Sequence, residues 1–204
     1  KGEQEIIPLA DASTVRLNTD TVVAIEYTDG ARKVTLQSGE ALFTVARDPE
    51  RPFIVHAGNG SIRAVGTVFN VYSKPNQVEV TVLEGAVKVA PDIEGQQPPT
   101  LTAEGIDLAA LSMISEGQQV IYGKDVGPVV DLNPADVQRK VSWQQGRIYF
   151  HHKRLEDVIA EVNRYSRIQI VIADAGLKDI RVGGLFLPGN TDSVINALQN
   201  SFGV

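Results

Sequence analysis

The chain has 204 residues, 19 Lys+Arg against 25 Asp+Glu for a net charge of −6, and no cysteine. The length allows one large or two small domains and buries about 70% of the unfolded chain's surface, so a packed core needs no staples. Disulfides, thiolate metal sites and thiol nucleophiles are excluded, and the acidic balance argues against nucleic acid, whose phosphates demand many Lys/Arg contacts.

Apolar residues make up 43%, a globular composition. No apolar run approaches the roughly 18 residues that span a bilayer, and Lys1-Gly2-Glu3-Gln4-Glu5 is no signal peptide, so the chain as given is expected to be soluble.

Through about residue 90 the pattern has period two, as in Val15/Leu17, Val34/Leu36, Phe53/Val55 and Val78/Val80/Val82. Turn signals such as Asp29-Gly30, Gly58-Asn59-Gly60 and Pro75-Asn76 separate these runs, which predicts an all-β unit. Four segments place a glycine between two apolar strand halves, at Gly39, Gly85, Gly117 and Gly146. Glycine suits a sharp corner where a strand passes to a second sheet, so the pattern is that of a β-sandwich or a two-sheet β-solenoid.

Residues 91–107, with Pro91, Gly95, Pro98, Pro99 and Gly105, read as a long loop, and a strand pair follows around 111–122. Asn133 then precedes Pro134 as a candidate helix cap. The β unit is thus expected over 1–130, a junction over 131–145 and a small α+β domain over 146–204.

Beyond Trp143 the period becomes 3.6: Leu155, Val158, Ile159 and Val162 form one apolar helical stripe, and Ile168-Gln169-Ile170-Val171-Ile172 reads as the next strand. Phe150, Val158, Ile159 and Val162 recur 36 positions on as Phe186, Val194, Ile195 and Leu198. The C-terminal part is therefore expected to be a duplicated βαβ domain, with Asn190 or Thr191 capping the second helix. The closing strand of the second copy is either absent or donated from elsewhere.

No catalytic motif emerges. His151-His152 is the one tight pair of metal-ligand type, but adjacent strand residues point to opposite faces and no third ligand lies at a useful spacing. His56 has no serine or acid at a motif spacing. Asp48, Glu50, Glu104 and Asp107 read as solubilising loop carboxylates, and the glycines of 58–60 and 182–185 lack the context of a phosphate loop. No enzyme activity, cofactor or metal is expected.

What remains is surface for macromolecular contact. The run Arg181-Val182-Gly183-Gly184-Leu185-Phe186-Leu187-Pro188 ends in proline as an edge strand does, and it is either core or a site of strand addition. Val182, Leu185, Phe186 and Leu187 are the candidate partner-binding residues.

Several blocks carry a family resemblance. Leu9-Ala10-Asp11-Ala12-Ser13-Thr14-Val15-Arg16-Leu17-Asn18 resembles the opening L-x-D-G-S-x-V-x-L-N of FecR-type sigma regulators, with Ala12 where the usual glycine stands. Arg32–Ala46, Arg51–Val55, Val65–Val71 and Val80–Val87 follow in the family's order, so the likeness covers roughly residues 3–90. Trp143–Phe150 with Leu155–Tyr165 is similar to the short domain at the N-terminus of secretins and TonB-dependent transporters.

The resemblance implies a periplasmic portion of a single-pass inner-membrane protein, with a cytoplasmic anti-sigma segment and one transmembrane helix preceding it. The implied partners are the N-terminal signalling domain of an outer-membrane TonB-dependent transporter and, through the preceding segment, an extracytoplasmic-function sigma factor. Binding would relay iron-siderophore occupancy, with the C-terminal α+β unit as docking module. A noncatalytic carbohydrate-binding or self-associating β-rich adaptor of the cell envelope is the alternative.

Overall fold

The computed structural model describes residues 2–28, 30, 32–91 and 112–202, and the chain packs as two units, Glu5–Val137 and Gln138–Val204 with Lys1–Gln4. The expected loop from residue 92 onward, with Glu104 and Asp107, lies outside the described residues, as does Asp29 of the first turn signal.

The first unit contains β1 (Glu5–Pro8), β2 (Thr14–Leu17), β3 (Val22–Tyr27), β4 (Arg32–Thr44), β5 (Phe53–Ala57), β6 (Gly60–Ala64), β7 (Val68–Lys74), β8 (Gln77–Glu84), β9 (Ala86–Pro91), β10 (Ser112–Ser115), β11 (Gln118–Gly123) and β12 (Val130–Asp131). They form one curled sheet in the order β10-β9-β6-β5-β4-β7-β8-β11-β12, with β2 and β3 also on β4 and β1 on β2. The 13-residue β4 joins two limbs. Its first half pairs with β3 and β5, its second half with β2 and β7.

Gly39 marks the bend, with φ 88°; a Cβ there would sit 2.6 Å from the Asp20 carbonyl oxygen. Gly85 and Gly117 likewise have positive φ where the chain passes between β8 and β9 and between β10 and β11. Of the four glycine corners expected from the sequence, two are therefore strand junctions and Gly39 is a bend within β4. The fourth is neither: Gly146 closes a short 3-10 turn over Ser142–Gln145, accepting no sheet role.

Described strand pairs are antiparallel except β4 with β5, because tight turns such as Ala57–Gly60 send successive strands straight back. The result is a mixed sheet curled into a half-barrel of hairpins and not a stack of parallel coils.

Period-two alternation sends Val15, Val34, Phe43, Phe53, Ile62, Phe69, Val80 and Val120 inward, all fully buried. Phe43 stacks on Phe69 at 5.2 Å and meets Phe53 edge-on at 6.0 Å. Tyr122 reaches the same core because its hydroxyl finds a partner there, donating to the Ala57 carbonyl at 2.9 Å; burial pushes its phenol up.

At the junction, α1 (Pro134–Lys140) is capped as expected: Asn133 Oδ1 accepts the Asp136 N–H at 2.9 Å. The second unit continues with β13 (Ile148–Arg154), α2 (Leu155–Tyr165), β14 (Arg181–Phe186) and α3 (Thr191–Phe202), with β13 and β14 paired antiparallel. The Asn190 side chain accepts the Ser193 N–H at 3.2 Å at the start of α3.

The predicted strand at Ile168–Ile172 does not form among the described residues. Its central backbone groups are taken by a side chain instead: Asn163 Nδ2 donates to the Ile170 carbonyl and Asn163 Oδ1 accepts the Ile170 N–H, both at 2.8 Å. Gln169 meanwhile donates to the carbonyls of Asn163 and Ser166 at the end of α2. Strand–helix order thus occurs twice, β13–α2 and β14–α3, with no strand at 168–172 between the two copies.

Candidate functional site

Two constellations carry the motif residues, one inside the β unit and one on the C-terminal unit.

The first is a buried ionic lock. Arg32, the first residue of β4, is fully buried, and its guanidinium pairs with Asp11. It also donates to the carbonyls of Arg51 at 2.8 Å, Ala46 at 3.0 Å and Asp48 at 3.4 Å, and lies 5.6 Å from the centre of the Phe53 ring. Asp11 in turn accepts the Ser13 hydroxyl at 2.6 Å and the Tyr27 hydroxyl at 3.0 Å. Burial alone would raise the Asp11 carboxyl, but hydrogen bonds from Ser13, Arg32 and Tyr27 outweigh it and hold its pKa at about 2. Burial and the Asp11 carboxylate raise the Tyr27 phenol. These bonds run to separate parts of the fold, so the cluster ties the 11–13 turn, β3, β4 and the 46–51 loop together.

A second buried carboxylate, Glu40, accepts Asn18 Nδ2 at 2.7 Å and Asn70 Nδ2 at 2.9 Å. Asp11, Asn18, Arg32, Glu40 and Asn70 belong to three of the blocks that carry the family resemblance. In the structure they fix turns and strand ends from inside.

Ala12, at the position of the family's usual glycine, has φ 65°. A left-handed conformation favours glycine, so the motif's glycine is a backbone requirement that Ala12 meets under strain.

The second constellation is the β13–β14 ladder. Ile148 pairs with Phe186 and both are buried toward α2, where Val158, Val162 and Tyr165 complete a core. Phe186 meets Tyr165 edge-on at 6.4 Å. The next register pair, Tyr149 with Leu185, faces the other way and is exposed, 41% and 51%. Leu187, just past the strand, is 49% exposed.

The four residues singled out in the sequence are therefore split. Phe186 and, in part, Val182 serve the core, whereas Leu185 and Leu187 face outward. Tyr149, the outward partner of Leu185, was missed; period-two alternation from buried Ile148 would have found it.

Among the described residues β14 pairs with β13 alone, so its other edge is open. Gly183 and Gly184 leave that edge's backbone without side-chain cover, and a Cβ at Gly184 would meet nothing within 4 Å. None of the usual edge-blocking devices, such as an inward charge or a mid-strand proline, interrupts it before Pro188.

His151 and His152 lie at a bulge, two residues of β13 facing Gly183 of β14, with His152 at φ 51°. Strict alternation is broken at that point, so the opposite-face expectation does not describe the pair. Both are exposed. His56 is half-buried in β5, and burial, then Lys33, lower its pKa.

Comparison with known proteins places the lock and its blocks. Residues 1–88, which lie largely in the β unit, match the family described as FecR protein. Two crystal structures of a candidate anti-sigma factor from Parabacteroides distasonis ATCC 8503, at 1.65 Å and 2.50 Å resolution, are similar to the whole chain. The first has a TM-score of 0.77 at 29% identity, covering 99% of this chain and 89% of that one. The second has a TM-score of 0.75 at 29% identity, covering 99% and 88%. No curated protein sequence matches the chain.

Proposed function

From the FecR-family match over residues 1–88 we propose that this chain is the periplasmic part of a single-pass inner-membrane sigma-factor regulator. It receives the N-terminal signalling domain of an outer-membrane TonB-dependent transporter and relays iron-siderophore occupancy to an extracytoplasmic-function sigma factor, which a preceding cytoplasmic segment binds. The chain's role in this is binding and not catalysis.

In this reading residues 1–130 form the FecR-like domain, 131–145 the junction, and 146–204 the docking module, which resembles the short secretin and TonB N-terminal domain. The observation that carries the docking assignment is the open β14 edge beside the outward pair Tyr149 and Leu185. A strand added along β14 gains main-chain hydrogen bonds from the edge and side-chain contact from Leu185, Leu187 and Tyr149. Solved relatives named as candidate anti-sigma factors support the regulator role.

The test is titration of the purified signalling domain of the cognate transporter. Leu185→Asp, which adds a charge to an already exposed position, weakens binding at least about tenfold while the fold is unchanged. Equal affinity of wild type and variant overturns the β14 assignment.

A further inference from the structure

The β unit carries a cationic face on an acidic chain. On the outer side of the first limb, Arg63 of β6 stands directly opposite Lys88 of β9, and Met113 of β10 stands opposite Lys88 in turn. Like charges in direct register destabilise a sheet, and neither Arg63 nor Lys88 has an ion-pair partner among the described residues. Lys33 stands two strands beyond Arg63 in the same row, with buried Ile54 between them and Glu26 of β3 on its far side.

The face is also concave. A hollow of about 260 Å³ opens between Arg63, Val65, Ala86, Val87, Lys88 and Met113. Met113 is 60% exposed on its rim, an apolar side chain beside two cations that have no ion-pair partner among the described residues.

We propose that this face is a docking site for an acidic segment of a partner protein, with carboxylates on Arg63 and Lys88 and one apolar side chain in the hollow against Met113. Charge complementarity selects the occupant: an anion beside Arg63 and Lys88 converts their mutual repulsion into attraction. With strands spaced about 4.8 Å apart, Lys33 lies about 10 Å from Arg63, the reach of about three extended residues, so one short segment spans all three cations. A membrane surface fits less well. Two or three cations give it little grip, at about 1 kcal/mol each, and a headgroup layer presents no side chain to fill a hollow. The proposal is independent of docking at β14, which lies on the other unit.

The experiment is fluorescence anisotropy with three labelled ten-residue peptides: one alternating Asp and Glu around a central Leu, the same peptide with Ser for Leu, and a Lys-for-acid counterpart. A fourth arm uses phosphatidylglycerol vesicles. The Leu-centred acidic peptide binds wild type, and the Ser and Lys peptides bind more weakly. Arg63→Glu with Lys88→Glu weakens it at least about tenfold, as does Met113→Glu alone, while Leu185→Asp leaves it unchanged. Circular dichroism verifies that the variants are folded, and the exposed Met113 position keeps the test open if the double variant is not. Equal binding of all three peptides, unchanged binding by Met113→Glu, or binding to vesicles in preference to the acidic peptide overturns the proposal.

Discussion

Removing the Asp11 carboxylate is the sharpest perturbation of the β unit. Asp11→Ala strands the fully buried Arg32 guanidinium and leaves the Ser13 and Tyr27 hydroxyls without their acceptor. Breaking one side of a buried pair costs about 3–5 kcal/mol, and the three carbonyls that still hold Arg32 place this variant near the lower end, at about 3. For a domain whose total stability is about 5–15 kcal/mol, that is a large fraction.

The pH dependence follows from the carboxyl itself. A group held at about 2 in the fold against its ordinary 3.8 contributes stability that is fully present above 3.8 and is lost as pH falls through 2. That linkage amounts to about 2 kcal/mol for a side chain only 6% exposed. Urea titrations followed by far-ultraviolet circular dichroism, on wild type and Asp11→Ala, should therefore differ by about 3 kcal/mol at neutral pH and by about 1 near pH 2, at constant m-value. A neutral-pH difference below about 1 kcal/mol, or one that does not shrink in acid, refutes the lock as a structural anchor.

Three further outcomes are expected. Ala12→Gly should stabilise by about 0.5–1 kcal/mol in the same titration, because relief of the left-handed strain at φ 65° exceeds the added unfolded-state entropy. Gly39→Ala should lose at least about 2 kcal/mol, since its φ of 88° and the 2.6 Å approach to the Asp20 carbonyl both penalise a Cβ. Trp143→Phe should stay within about 1.5 kcal/mol of wild type by thermal or urea unfolding, far from the 3–5 expected for truncation to Ala, because the buried indole N–H has no partner to lose.

Much of the β unit is legible because two simple signals agree. Alternation places Val15, Val34 and Val80 inside, and glycines mark the bend within β4 at 39 and the strand junctions at 85 and 117. Gly146 carries the same local pattern yet ends a 3-10 turn, since residue type sets the allowed φ and not which element uses it. The burial of Arg32 depends on carbonyls of the 46–51 loop that only the fold brings near. Ile168–Ile172 has strong strand propensity, but propensity needs a partner, and Asn163 satisfies Ile170 first. At the candidate site the apolar run of β14 was evident, whereas the inward and outward division of Val182, Leu185, Phe186 and Leu187 follows from register with Ile148 and Tyr149.

The account rests most directly on whether the C-terminal unit captures a transporter's signalling domain. Isothermal titration calorimetry of that domain into wild type and Leu185→Asp measures it. The account predicts saturable binding to wild type, weakened at least about tenfold by the substitution. No heat of binding with the cognate signalling domain, at concentrations up to about 1 mM, contradicts it.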